Sequence, residues 1–147
     1  MGWRLAYARS LFRSLMRIRR WHRSCTMAEM VEAVEASARD LAPAGEREMR
    51  AVLKDWWFWR HSFLGIYRNP CLYFSMLALA YELANGREAE VNVWLSTGIL
   101  GDRGHCWITR DGQMLYDRDR TAVPATAERL GRRGRIVYWW DDGGRRF

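Results

Sequence analysis

The chain has 147 residues, 49% of them hydrophobic and nine of them Trp, enough for one domain with a substantial core and short for two. No apolar run reaches about 18 residues, and the first 23 residues lack the apolar stretch and cleavage site of a secretory signal, so a soluble cytoplasmic protein without a membrane span is expected. The net charge of +7 is local: Arg4, Arg9, Arg13, Arg17, Arg19, Arg20 and Arg23 precede any acid, the remaining 17 basic and 17 acidic groups balance, and with no groove-reading or base-stacking motif beside the charge no nucleic-acid partner is expected.

Residues 3–22 are predicted to form an amphipathic helix. Leu5, Ala8, Leu11, Phe12, Leu15 and Ile18 are expected on one side, with Arg9, Arg13, Arg17 and Arg20 as a stripe at three- and four-residue spacing. A packed helix with a solvated Arg face is the plain expectation; a docking surface for an acidic partner or a membrane surface is the sharper one. Thr26 with Glu29 three residues later is a capping-box signature for a second helix to about Leu41, broken by Pro43 and Gly45. A third helix runs from Glu46 to about Ser62 with Trp56, Trp57, Phe58 and Trp59. Four successive rings cannot share one helical face, so core packing and a peptide-gripping groove both stand.

The next helix opens at Asn69-Pro70-Cys71. Asn is a favoured N-cap, the following Pro biases it to extended backbone, and Pro suits the first helical position. Cys71 then falls at the second position, at the positive end of the helix dipole, where a thiolate is favoured. Asn85-Gly86 supplies the stop. Residues 89–96 alternate as a strand, 97–104 read as a Gly-rich loop, and 104–110 with 113–117 read as a hairpin. An Arg- and Gly-rich connection over 127–134 precedes a last strand over 135–140 and a polar tail.

His105 lies on the hairpin's first strand and Asp117 ends its second. With Asp111-Gly112 alone as the loop, Arg110 pairs with Gln113, and counting back sets Cys106 opposite Asp117 with His105 on the other face. With Arg110-Asp111-Gly112 as the loop, Thr109 pairs with Gln113 and His105 lies across from Asp117. His105, Trp107 and Leu115 then share one face, and Cys106, Ile108, Met114 and Tyr116 the other. Both loops suit the sequence; the second builds a catalytic pair. Asp119 is the fallback carboxylate.

In that register Cys71 is the candidate nucleophile, His105 its base and then the acid for the leaving amine, and Asp117 the group that fixes the imidazole. Backbone N–H groups at the helix start would meet the oxyanion. Cys25 and Cys106 lack such surroundings, and His22 and His61 have no carboxylate partner that the sequence places. Three Cys without paired spacing suit free thiols, and neither C-x-x-C nor H-x-x-x-H occurs, so no zinc site is expected.

The segment from Asn69 to Asp117 resembles the transglutaminase-like superfamily, and within it the leader peptidases of lasso-peptide biosynthesis in their stand-alone form. The resemblance rests on Cys71-Leu72 with Ser75 and Leu77, on Gly86-Arg87-Glu88-Ala89-Glu90-Val91 leading into a strand, and on Gly104-His105-Cys106-Trp107-Ile108 followed by Asp111-Gly112. It covers about a third of the chain directly. Cys106, between His and Trp, departs from the small residue usual there.

The resemblance implies a Cys71-His105-Asp117 cysteine peptidase that removes the leader from a ribosomally made precursor peptide, with no metal or organic cofactor. It also implies a separate leader-recognition protein as partner, and an ATP-dependent cyclase acting afterwards. The implied fold is α+β: a transglutaminase- or papain-like core in which the Cys-bearing helix packs on a small antiparallel sheet. The expected organisation is a helical region over 1–66 and a catalytic region over 67–147 within one domain. Two other readings remain. One is a related acyltransferase or amidase acting on another peptide, and the other is a non-catalytic basic module that binds an anionic surface.

Overall fold

The Arg-rich opening of the chain folds as a helix because its apolar residues recur at helical spacing with no Pro to interrupt them. The computed structural model describes residues 2–60, 70–98, 101–116, 128–130 and 136–140. It contains helices α1 (Gly2–Ser24), α2 (Met27–Ala36), α3 (Ala38–Leu41), α4 (Glu46–Arg60) and α5 (Pro70–Ala84). The strands are β1 (Glu90–Gly98), β2 (Gly101–Arg110), β3 (Gln113–Leu115), β4 (Glu128–Leu130) and β5 (Ile136–Trp140). The chain divides into two compact units, Met1–Glu88 and Ala89–Phe147. The division falls after Glu88, so the helix that carries Cys71 groups with the amino-terminal helices. Asn69, His61, Asp117, Asp119 and the tail over 141–147 lie outside the described residues, as do the side chains of Trp56, Trp57, Phe58 and Trp59.

In the helical unit, α1 buries Tyr7, Leu11, Ser14, Leu15 and Ile18. This is a rotation of the expected face. Leu5 and Phe12 were expected inside, but they sit roughly 100° or more around the helix from Leu11 and are 57% and 46% exposed. Ser14 Oγ donates to the Leu41 carbonyl at 3.0 Å, which ties α1 to the end of α3 and satisfies a helix-terminal acceptor. Trp3 is covered by the Arg47 guanidinium at 4.0 Å from its ring centre, a contact between α1 and α4.

The capping box forms as the sequence predicts. Glu29 N–H donates to Thr26 Oγ1 at 3.3 Å, and Thr26 N–H donates to Glu29 Oε2 at 2.7 Å. The bond from Thr26 N–H foremost, and then one donated by the Thr26 hydroxyl at 2.9 Å, hold the Glu29 carboxyl below its ordinary pKa. The helix expected to continue to Leu41 breaks at Ser37. Its N–H is shared between the Ala33 and Val34 carbonyls before α3 restarts.

Helix α5 is buried around its whole circumference, from Leu72 and Tyr73 through Met76, Leu79 and Tyr81 to Glu82. A helix apolar on every side suits the centre of a bundle. Within its unit it packs most extensively on α3, and also on α1, α2 and α4. It ends where the sequence predicts. Gly86 takes φ +70°, Arg87 N–H donates to Glu82 O at 2.9 Å, and Gly86 N–H donates to Leu83 O at 3.0 Å. This is a Schellman motif, and the left-handed residue at its turn is why glycine stands there.

The second unit is a five-stranded sheet in the order β3-β2-β1-β5-β4. The first three strands form the expected antiparallel meander. β5 lies parallel to β1, with Val91 beside Ile136 and Val93 beside Tyr138, so the sheet is mixed and not purely antiparallel. Two segments expected as connections contain strand. Most of the expected loop over 97–104 is strand, with Thr97 paired to Asp102 and Gly98 to Gly101. The connection over 127–134 contains β4, paired with β5.

Candidate active site

Cys71 is the second residue of α5, directly after Pro70, as the cap-and-proline spacing predicts. It is partly exposed, whereas the next turn, from Ser75 to Leu77, is buried. The first N–H groups of a helix have no partner within it, so a thiol at this position sits among donors and positive dipole ends. None of the three cysteines is in a disulfide. Cys106 is buried on the sheet, where it pairs with Val93 in the alternation that also holds Val91 and Ile108.

His105 occupies a β2 position paired with Trp94 of β1, one residue out of phase with Cys106. Along the same alternation, Trp107 pairs with Asn92 and Thr109 with Glu90. Asn92 Nδ2 donates to Thr109 Oγ1 at 2.9 Å in a buried contact, which places a satisfied polar pair within the apolar sheet.

The hairpin closes through the shorter loop. Arg110 pairs with Gln113 and Ile108 with Leu115, leaving Asp111 (φ 52°) and Gly112 (φ 76°) as a two-residue turn with both central residues left-handed. That is the type I′ geometry, whose twist matches the flanking strands, and Asp-Gly is a preferred pair for it. The three-residue loop expected to pair His105 with Asp117 is therefore corrected. So is the face assignment: Leu115 shares the Cys106 and Ile108 alternation, and Met114 pairs with Thr109. Counting strictly, this register would oppose Asp117 to Cys106. The ladder, however, stops at Leu115, and Tyr116 takes φ 58°, which ends the two-residue alternation just before Asp117.

The three triad candidates are thus distributed, with Cys71 in the helical unit, His105 in the sheet, and Asp117 outside the described residues. Beside the Cys71 turn there is a pair that sequence reasoning missed. His22 Nδ1 lies 3.3 Å from the Tyr73 hydroxyl, with the two rings edge-to-face at 88°. Burial, and then the nearby Arg23 charge, hold His22 below its ordinary pKa. Burial pushes Tyr73 up, partly offset by Arg19 and Arg23. Both groups are thereby kept neutral near pH 7, so the contact is a neutral hydrogen bond that pins the end of α1 to the start of α5. A separation of 51 residues leaves no local signal for it.

Among the described residues, no cluster of His, Cys, Asp and Glu could hold a metal ion, and no helix is long and apolar enough to cross a membrane. No protein-family model, curated protein or solved structure matches the chain.

Proposed function

We propose that the chain is a cysteine endopeptidase that removes the leader from a ribosomally made precursor peptide, as in lasso-peptide maturation. The observation that carries the reading is the placement of Cys71: second residue of a helix opened by Pro70, and partly exposed. A nucleophile is useful only where it is both activated and reachable, and a helix start supplies donors for the thiolate and for the oxyanion that follows.

In the proposed reaction the Cys71 thiolate attacks the scissile carbonyl, and His105, having taken the thiol proton, returns it to the leaving amine. Water then attacks the thioester, again with His105 as base, and Asp117 holds the imidazole in the required tautomer. The reading requires α5 to bring Cys71 against the β2–β3 hairpin in a transglutaminase-like core. It assigns substrate delivery to a separate leader-recognition protein in the cytoplasm, with a cyclase acting on the released core.

The test is incubation of the protein with a precursor and its leader-binding partner, read by mass spectrometry for wild type and for Cys71→Ala. Cleavage at a single bond by wild type alone is the expected result. Absence of cleavage while the partner is shown to bind would overturn the peptidase reading.

A further inference from the structure

The face of α1 opposite the core is not a simple solvated Arg stripe. Leu5, Phe12 and Met16 are 57%, 46% and 39% exposed, and they are the exposed large apolar side chains among the described residues. At about 100° per residue they fall within roughly 40° of one another around the helix, along about 16 Å of its length. Arg9, Arg13 and Arg20 are exposed on the adjoining arc, and none of them makes an ion pair among the described residues. α1 contains no Asp or Glu. Arg17, at the margin of the face, lies 3.8 Å from Asp40.

We propose that this face of α1 docks on an anionic lipid bilayer surface, with Leu5, Phe12 and Met16 entering the headgroup boundary and Arg9, Arg13 and Arg20 meeting lipid phosphates. Charge complementarity selects an anionic occupant. The arrangement selects lipid over protein: three apolar side chains make a strip too narrow for the apolar centre of a stable protein interface, and the arginines run beside that strip for most of its length. An interfacial helix tolerates that mixture: Arg stems lie along apolar surface while the guanidinium reaches the headgroups. Phosphate binding by nucleic acid would leave the three apolar side chains without a role. The proposal does not depend on the chemistry of Cys71.

The test is vesicle flotation with the full chain in about 0.1 M salt. It compares pure phosphatidylcholine with phosphatidylcholine containing about one-third phosphatidylglycerol. Binding to the anionic vesicles alone is expected. Each of Arg9→Gln, Arg13→Gln and Arg20→Gln should weaken it about fivefold, and Phe12→Ala should weaken it by a similar factor, about fivefold. All four sites are exposed, and unchanged far-UV circular dichroism verifies that each variant folds. Failure to float with anionic vesicles would overturn the proposal, as would binding indifferent to Phe12→Ala. Capture by polyglutamate or duplex DNA without vesicle binding would also overturn it and assign the face to an acidic protein or a nucleic acid.

Discussion

Replacing Arg87 with Met isolates the ion pair that, among the described residues, has the most deeply buried carboxylate. Glu82 is 1% exposed, on the last turn of α5. Arg87 donates to it twice, Nε to Oε2 at 2.7 Å and Nη2 to Oε1 at 3.0 Å, while its guanidinium carbon lies 5.4 Å from the Tyr81 ring centre. Removing one partner of a buried pair leaves the other charge less well compensated and costs about 3–5 kcal/mol. The Arg87 side chain is 40% exposed, so water can reach the carboxylate once it is gone, and the lower end, about 3 kcal/mol, applies. Replacing both residues with Met removes the buried charge as well, so the double variant should recover most of the loss. Urea unfolding followed by far-UV circular dichroism reads this through the midpoint at constant m. A loss below about 1 kcal/mol for Arg87→Met would refute the reasoning, since that is the range of a solvated surface pair. A double variant no more stable than the single one would refute it equally.

Gly86→Ala should cost about 1 kcal/mol, because φ is +70° while an added Cβ would meet nothing within 4 Å, so the penalty is backbone strain alone; urea unfolding that shows no loss would contradict this. His22 is held below its ordinary value of 6.5, so the unfolded chain binds its proton more readily and stability falls as pH drops below 6.5, levelling off below the folded pKa. Wild type should therefore lose stability relative to His22→Phe between about pH 6.5 and 5, and a difference constant across that window would contradict the assignment.

Three helix boundaries were legible because each is a local event, whereas the break at Ser37 was not. Thr26 and Glu29 cap one another, Pro70 opens α5, and Gly86 closes it through its own turn. The hairpin was legible as a hairpin, but its register was not. Asp111-Gly112 serves a two-residue or a three-residue loop, and the choice rests on Asp111 taking φ 52°, which Asp tolerates at little cost. Nothing in the sequence announces the positive φ of Tyr116, since aromatic residues rarely adopt it. The parallel pairing of β5 with β1 and the His22–Tyr73 contact are long-range, set by packing and not by any neighbouring residue. On α1 the apolar residues were recognised, but periodicity alone merged two faces that burial separates: Leu11, Leu15 and Ile18 inside, Leu5 and Phe12 outside. Of the candidate site, the helix-start position of Cys71 was legible from Asn69-Pro70. The carboxylate pairing was not, because it hung on the loop.

The central claim is that Cys71 is a nucleophile served by His105. The direct measurement is the rate of Cys71 alkylation by iodoacetamide at pH 7, located by peptide mass spectrometry, in wild type, His105→Ala and Asp117→Asn. Cys71 should react faster than Cys25 and Cys106 in wild type, lose at least about tenfold in His105→Ala, and lose less in Asp117→Asn. A Cys71 rate equal to that of Cys25 and unchanged by His105→Ala would contradict the account.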